Sequence, residues 1–193
     1  MAGLRWGLIS LGILVLLAGT YFLVLSYNSD PSPENPTESL VGQAFPEVCG
    51  ETLAGTPTCL PQDVKGKPAA LHVAFKRCAQ EELDPWNGAM LKLLDEHPEA
   101  FHLYEVPMLA GGWKVASGWI DGGMRSGIPQ GFHDNVLTYY GPLEDYHEQF
   151  NATEGCAAYV FILDDEGVVR FQHQGPLTDD ALAEAKAVLL QEQ

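Results

Sequence analysis

Four cysteines are the residues of this chain whose chemistry is easiest to define. They are Cys49, Cys59, Cys78 and Cys156, and no two of them form a Cys-x-x-Cys pair. An even number of cysteines permits disulfide bonds in an oxidising compartment. A reactive thiolate instead needs nearby cations or a helix N-terminus. Because Cys78 directly follows Lys76 and Arg77, it is the candidate for thiol chemistry.

The first two cysteines lie in a predicted hairpin that covers residues 47–60. Turn-forming residues mark this segment at Gly50, Gly55 and Pro57. Cys49 and Cys59 would then face each other across the hairpin. A disulfide bond between them would close a loop of about ten residues and stabilise the fold by about 2–3 kcal/mol.

Cys78 follows a segment of strand length. Residues 69–75 are mostly apolar and predict an inner strand. Asp84 and Pro85 are a favourable N-cap and first-turn pair, so they predict a helix start, and Pro98 predicts its end. Residues 101–106 then predict a second strand.

The next part of the chain is harder to assign. Residues 108–123 have apolar residues at helical spacing but also five glycines, which weaken a helix. Residues 125–141 predict a long irregular loop that is strand-like from residue 136 on. A loop of this length inside a domain is usually functional or disordered. Its apolar content argues against disorder. We also expect Arg125 to pair with Asp121 or Asp134.

The remaining elements complete a recognisable order. Residues 142–150 predict a short helix, residues 157–163 a buried strand, and residues 168–172 a second strand after a four-residue turn. Thr178 predicts the N-cap of a last helix. Strands that alternate with helices favour parallel pairing, whereas the late hairpin is antiparallel. The order predicts an α/β fold of the thioredoxin-like type, with a mixed sheet and helices on both faces.

Several short motifs in the C-terminal half occur in a definite order. They are Arg125-x-x-Ile128-Pro129, His133-Asp134, Tyr139-Tyr140-Gly141, Tyr159-Val160-Phe161, Asp164-x-x-Gly167-x-x-Arg170 and Gly175. This string resembles the mitochondrial ATP synthase assembly-factor family usually called Atp-ten, most clearly over residues 125–190. The resemblance implies a thioredoxin-like fold and a chaperone for the membrane sector of ATP synthase. It carries over no catalytic residues.

The chain departs from that family in two places. Residues 171–175 read Phe-Gln-His-Gln-Gly instead of a Trp-rich stretch, and the N-terminus is not a long Arg-rich transit peptide. The resemblance therefore indicates a bacterial-type, membrane-anchored relative.

The expected fold also bears on the thiol chemistry. Its catalytic thiols follow the first inner strand, where Cys78 lies, but Glu81 occupies the place of the usual second thiol. Reductases of this fold have a cis-proline before the later buried strand, where this chain has Gly155, Cys156 and Ala157. Cys78 and Cys156 would lie in neighbouring loops. They would form a structural disulfide or an exchangeable pair, or would remain unpaired thiols. Without the Cys-x-x-Cys pair and the cis-proline, we lean against an enzyme.

A metal site is a weaker alternative. Membrane-anchored copper chaperones of this fold use two cysteines and a distant histidine, and Cys78 with His133 or His173 could imitate that set. The local pair of soft ligands that copper(I) prefers is missing. We therefore predict neither a metal nor a cofactor. The six histidines are otherwise expected at the surface or in hydrogen-bonded edge positions.

A second group of residues is a candidate for partner binding rather than for chemistry. Trp113 and Trp119 lie among glycines and either contact a membrane-embedded client or pack an irregular helix onto the sheet. The other candidates belong to the long loop and the strand after it: Arg125, Ile128, Pro129, His133, Asp134, Tyr139 and Tyr140.

The N-terminus predicts a membrane anchor. Residues 7–27 form a stretch of 21 residues without a charge, preceded by Arg5 and followed by acidic residues. The alternative, a cleaved signal peptide, is disfavoured because apolar residues continue through Leu25. We predict an anchor over residues 1–28, an acidic Pro-rich tether over 29–40 and the domain over 41–193. The protein would cross the inner membrane once, with its domain on the periplasmic side.

Charge excludes one class of partner. All 26 acidic residues follow the anchor, against nine basic ones, so this part carries about −17. Nucleic acid is therefore an unsuitable partner. The sequence predicts an assembly factor or chaperone for a membrane protein subunit, with the ATP synthase membrane sector as client. The alternative is a tethered thiol oxidoreductase or redox-linked metallochaperone that uses Cys78 and Cys156.

Overall fold

A seven-stranded mixed sheet organises the domain in the computed structural model, which describes residues 39–191. The strands are β1 (Val48–Thr52), β2 (Pro57–Leu60), β3 (Ala69–Ala74), β4 (His102–Ala110), β5 (Leu137–Gly141), β6 (Tyr159–Leu163) and β7 (Val169–Gln174). The helices are α1 (Gln80–Glu96), α2 (Ser117–Gly127), α3 (Glu144–Gln149) and α4 (Asp179–Gln191). The strand order is β2-β1-β5-β4-β3-β6-β7.

Strand β3 lies in the interior of this sheet. It pairs in parallel with β4 and antiparallel with β6, and all of its residues are buried. This confirms the inner strand that its apolar run predicts. Strands β6 and β7 form the expected antiparallel hairpin, and Asp164 organises its turn by accepting the backbone N–H groups of Glu166 and Val168.

Each face of the sheet has its own hydrophobic core. On one face, α1 and α4 cover β3 and β6 with side chains that include Trp86, Met90 and Leu189. On the other face, Phe45 and Phe150 pack with Phe161. The sequence prediction of a mixed sheet with helices on both faces is thus confirmed.

The predicted anchor and almost all of the tether lie outside the described residues. Within residues 39–191, no helix combines the length and apolar composition that a membrane crossing requires.

Helix α1 begins earlier than Asp84, the predicted N-cap. A turn of 3-10 helix, Arg77–Ala79, continues directly into the helix, and Pro85 lies inside it. Glu81 and Glu82 occupy the first turn, where carboxylates interact favourably with the positive end of the helix dipole. The side chain of Asp84 accepts a hydrogen bond from the Gln80 amide at 2.8 Å instead of capping the helix.

The ambiguous residues 108–123 and the predicted long loop of residues 125–141 are both mostly regular. Strand β4 continues to Ala110, a 3-10 helix (Gly111–Ala116) leads into α2, and a second 3-10 helix (Gln130–Asn135) precedes β5. Arg125 does not pair with an acidic residue, so that prediction is wrong: its Nε donates to the Leu53 carbonyl at 2.6 Å. This bond holds the end of α2 near β1.

Candidate redox site

The sheet topology brings the two distant cysteines together. Cys78 lies in the 3-10 turn between β3 and α1, and Cys156 lies in the connection that leads into β6. Because β3 and β6 are antiparallel, with Val73 opposite Tyr159, the end of one strand meets the start of the other. Cys78 and Cys156 form a disulfide bond across this edge, with their Cα atoms 5.0 Å apart.

Both residues of this disulfide are exposed to solvent. A thiol can therefore approach this disulfide from solvent. An exposed disulfide between two surface connections is accessible to exchange, whereas buried structural cysteines are inert.

Hydrogen bonds hold the connection before β6 independently of the disulfide. The Tyr159 hydroxyl donates to the Glu154 carbonyl at 2.8 Å and accepts the Glu154 N–H at 3.1 Å. The Glu82 carboxylate, in the first turn of α1, accepts the N–H of Ala158 at 2.9 Å. Since Ala158 lies two residues after Cys156, this bond ties the Cys156 connection to the helix that follows Cys78. The two thiols would stay close after reduction.

Two cations lie next to this disulfide, together with the Glu81 and Glu82 carboxylates in the first turn of α1. Lys76 and Arg77 precede Cys78, and no side chain caps the N-terminus of α1. The Lys76 side chain lies against Gly155, where an added β-carbon would be 2.8 Å from Nζ. The ammonium group is therefore beside the residue that precedes Cys156. A thiolate released from the disulfide would be stabilised by these groups.

A polar chain connects β3, the middle of α1 and β4. His72, fully buried on β3, contacts the Asn87 side-chain oxygen through Nδ1 at 2.5 Å, and Asn87 donates to the Glu105 carboxylate at 2.9 Å. Burial lowers the pKa of His72 to about 4, only partly opposed by the Asn87 hydrogen bond, so the ring is neutral. Burial likewise raises the pKa of Glu105.

The sequence prediction of surface or edge histidines is wrong for His72. Its position within the apolar run of residues 69–75 is the signal that could have identified it.

The second disulfide joins Cys49 to Cys59 within the β1–β2 hairpin. The two residues are directly opposite in the antiparallel register, with Cα atoms 4.1 Å apart. The Cys59 N–H donates to the Asp63 carboxylate at 2.6 Å. A carboxylate is thus in contact with the backbone of this disulfide.

The histidines considered for a metal site bind elsewhere. His133 contacts the Ile128 carbonyl through Nε2 at 3.0 Å, and His173 contacts the Pro176 carbonyl at 3.1 Å. Across residues 39–190, no three His, Cys, Asp or Glu side chains converge in a way that could hold a metal ion.

The partner-binding candidates lie on several elements between the 3-10 helix after β4 and the end of β5. Tyr139 and Tyr140 are consecutive in β5 and so point to opposite faces of the sheet; Tyr139 donates to the Pro142 carbonyl, and Tyr140 to Asp121. Asp134 accepts the Thr56 hydroxyl. Arg125 lies in the last turn of α2, whereas Ile128, Pro129 and His133 follow the helix.

Trp113 and Trp119 are 58% and 83% exposed, so they do not pack onto the sheet.

Comparison with known proteins identifies the fold. No family model and no curated protein sequence matches the chain. The exposed lipoprotein thioredoxin Etrx1 of Streptococcus pneumoniae is 16% identical, with a TM-score of 0.52 over 76% of this chain and 99% of that chain. BsSco, of the Sco family of cytochrome c oxidase assembly proteins, is 14% identical, with a TM-score of 0.54 over 79% and 96%. A thiol:disulfide interchange protein from Bacteroides sp. is 17% identical, with a TM-score of 0.50 over 78% and 90%.

The resemblance to the ATP synthase assembly-factor family is wrong. The similar solved structures include thioredoxin-like thiol–disulfide proteins and a Sco protein, and no family model supports the resemblance. The motif residues have local structural roles instead. Arg125 binds the Leu53 carbonyl, Asp164 accepts hydrogen bonds in the β6–β7 turn, and Gly167 and Gly175 have positive φ. These are requirements of turns and packing, and they imply no shared client. The described domain has a thioredoxin-like fold.

Proposed function

We propose that this domain is a thiol–disulfide exchange protein whose reactive group is the Cys78–Cys156 disulfide. The observation that carries the proposal is the position of this bond. It is exposed, it joins the start of α1 to the connection before β6, and it lies beside Lys76. The fold shared with thiol–disulfide proteins is consistent with this function but does not by itself establish it.

The exchange proceeds through two displacements. A partner thiolate attacks the sulfur of Cys78 or Cys156; the new partner–protein disulfide forms as the Cys78–Cys156 bond breaks, and the other cysteine leaves as a thiolate. A second partner thiolate then attacks the mixed disulfide. The partner is oxidised to a disulfide, and the domain is reduced to a dithiol after taking up two protons. The reverse sequence reduces a partner disulfide.

The surrounding groups favour the thiolate that each displacement releases. Cys78 lies at the N-terminal end of α1, whose backbone N–H groups carry partial positive charge. The Lys76 ammonium contributes a full charge beside the Cys156 connection. Glu82 keeps that connection close to the helix through its bond to Ala158. Both thiols therefore remain positioned to re-form the bond.

The proposed location is the exported side of a membrane, through the anchor that residues 7–27 predict. Disulfide bonds persist in oxidising compartments such as the periplasm, and every cysteine of the chain is in a disulfide here. The proposed partners are cysteine-containing proteins on that side of the membrane, membrane protein subunits included. The metallochaperone alternative has no support from a convergent set of metal-binding side chains in residues 39–190.

The test compares the two disulfides in the same molecule. The full-length protein is treated with increasing glutathione, quenched with acid, alkylated, and mapped by mass spectrometry. The adjacent cations Lys76 and Arg77 and the exposure of both cysteines predict that Cys78–Cys156 is reduced about 10- to 100-fold faster than Cys49–Cys59, because the attacking thiolate is an anion.

Two matched double variants test the activity. Cys49→Ser with Cys59→Ser is expected to keep the catalysis of insulin reduction by dithiothreitol, and Cys78→Ser with Cys156→Ser is expected to lose it. Equal activity in the two variants, or faster reduction of the hairpin disulfide, would overturn the proposal.

A further inference from the structure

One part of the domain is not held by either core. The 3-10 helix Gly111–Ala116 and helix α2, Ser117–Gly127, together form what we call the tryptophan segment, and neither element has a buried residue. It carries three of the five large apolar side chains that are exposed in residues 39–190. These are Trp113 (58% exposed), Val115 (97%) and Trp119 (83%). Such a concentration of exposed apolar side chains marks an interaction surface.

The glycines of this segment are not explained by packing inside the domain. Helix α2 contains Gly118, Gly122, Gly123 and Gly127, and each lowers helix stability by about 1 kcal/mol relative to alanine. A β-carbon added at any of these four positions would meet no atom within 4 Å. Packing inside the domain therefore does not require glycine there.

The charges of the segment and of the whole domain limit the partners that this surface can bind. The tryptophan segment contains Lys114, Asp121 and Arg125, a net charge of +1, in a chain whose formal charge is −16. An anionic membrane or an acidic protein would be repelled by most of the domain. The segment itself is nearly neutral and rich in tryptophan, the composition that suits the headgroup level of a lipid bilayer.

The N-terminal sequence allows this contact. Residues 28–38 separate the 21 uncharged residues from the described domain, and 11 extended residues span at most about 36–40 Å. The described chain begins at Ser39, which hydrogen-bonds to Gln172 in β7. Strand β5, against which the tryptophan segment packs, is four positions from β7 in the sheet, or about 19 Å. The tether is long enough for either edge of the sheet to meet the membrane.

We propose that the tryptophan segment docks on the bilayer surface, in the leaflet facing the domain, with Trp113 and Trp119 at the headgroup level. The proposal does not depend on the redox chemistry. It has one consequence for that chemistry: β3 and β4 are parallel neighbours, so the segment leaves the sheet at the same edge as Cys78. Docking would hold the disulfide edge close to the membrane and favour membrane-bound thiols as substrates.

The four tryptophans make a direct test possible. The full-length chain with Trp6→Phe is reconstituted in phosphatidylcholine vesicles with or without brominated acyl chains, and flotation establishes that it is vesicle-bound. Bromine quenches indole fluorescence on contact. Trp86 is fully buried and is the internal control. We expect brominated lipid to quench a substantial part of the emission, and this quenching to disappear when Trp113→Phe and Trp119→Phe are added.

Two results would overturn the docking proposal. Equal emission from the Trp6→Phe chain in both lipids would overturn the proposal and leave a protein partner as the occupant of this surface. Failure of the full-length chain to float with vesicles would overturn it as well. Insulin reduction by the same preparations reports the redox proposal separately, since Trp113 and Trp119 are not among the residues to which that proposal assigns a role.

Discussion

The two disulfides differ in the length of the loop that each closes and in their surroundings. Cys49–Cys59 closes a separation of 10 residues within one hairpin, whereas Cys78–Cys156 closes a separation of 78 residues between the two halves of the sheet. Loop length governs how much a disulfide restricts the unfolded chain. It has no direct influence on how easily the bond is reduced in the folded state.

Reactivity in the folded state depends on the surroundings, and these differ: Lys76 and Arg77 accompany Cys78, whereas no lysine or arginine directly adjoins Cys49 or Cys59 in sequence. Cys59 is half-buried and its N–H binds the Asp63 carboxylate, which disfavours a second anion nearby. Cys78 and Cys156 are both exposed and lie near Lys76 and Arg77. Cys49 is exposed as well, so the two disulfides differ in exposure only at Cys59. A bond can contribute strongly to stability and still be the reactive bond, because the two effects come from different states of the chain.

The largest expected effect concerns stability. In the chain-entropy estimate, removing the 78-residue closure costs about 4.5 kcal/mol and removing the 10-residue closure about 2.7 kcal/mol. Urea unfolding of Cys78→Ser with Cys156→Ser should thus show a loss about 2 kcal/mol greater than that of Cys49→Ser with Cys59→Ser. The two variants are matched, since each replaces two cysteines with serine. A larger loss from the hairpin variant would contradict the difference we draw from loop length.

The pH dependence of stability should also distinguish the region around His72 and Cys78 from the β1–β2 hairpin. Burial lowers the pKa of His72 from 6.5 to about 4, so between these values the unfolded chain binds a proton that the folded chain excludes. The free energy of unfolding should fall as pH decreases through this window, by about 3 kcal/mol in total, and should gain nothing from this group above pH 6.5. Glu105 acts in the opposite direction, because burial raises its pKa and favours its protonated form.

Hydrogen exchange at pH 5 and pH 7 measures this effect region by region. The amides of β3 and α1, next to His72 and Cys78, should lose protection at pH 5 more than those of the β1–β2 hairpin. His72→Leu should flatten the pH dependence, and His97→Leu, at an exposed position after α1, is the matched control. An unchanged slope in His72→Leu would show that another group causes the pH dependence.

The parts of this structure that the sequence predicts well depend on local signals. The apolar run of β3, the turn between β6 and β7 and the Thr178 cap, whose hydroxyl accepts the Ala181 N–H at 3.2 Å, each depend on residues close in the chain. The hairpin that places Cys49 opposite Cys59 is of the same kind. Such features need no knowledge of distant contacts.

The unpredicted parts depend on contacts between distant residues. Helix α2 has apolar residues at helical spacing, but its four glycines weaken that signal and it has no buried side chain. Arg125 and the Leu53 carbonyl, 72 positions apart, hold its end. The Cys78–Cys156 pairing follows from the register of β3 with β6, so the expected fold suggests it but leaves the alternatives open. A motif string read without those contacts led to the wrong family.

The smallest expected effect isolates the charge next to the reactive disulfide. Lys76→Gln should slow the attack of glutathione on Cys78–Cys156 by about 3- to 5-fold at low ionic strength, because a partly screened cation then no longer attracts the anionic thiolate. The rate at Cys49–Cys59 should not change. Salt should reduce the difference between Lys76→Gln and the native chain, since a Debye length of about 8 Å at physiological ionic strength screens an exposed charge.

Gly155→Ala provides a second variant that leaves the charge in the molecule. The added β-carbon would lie 2.6 Å from Lys76 Cε, near the flexible end of that side chain, so the lysine should move away at little cost in stability. The rate should therefore fall in the same direction as in Lys76→Gln, and combining the two changes should add nothing further. Lys92→Gln, at an exposed position on α1, controls for the loss of one positive charge from the whole molecule. If Lys92→Gln slowed exchange as much as Lys76→Gln, net charge would account for the effect and the contact with Gly155 would not.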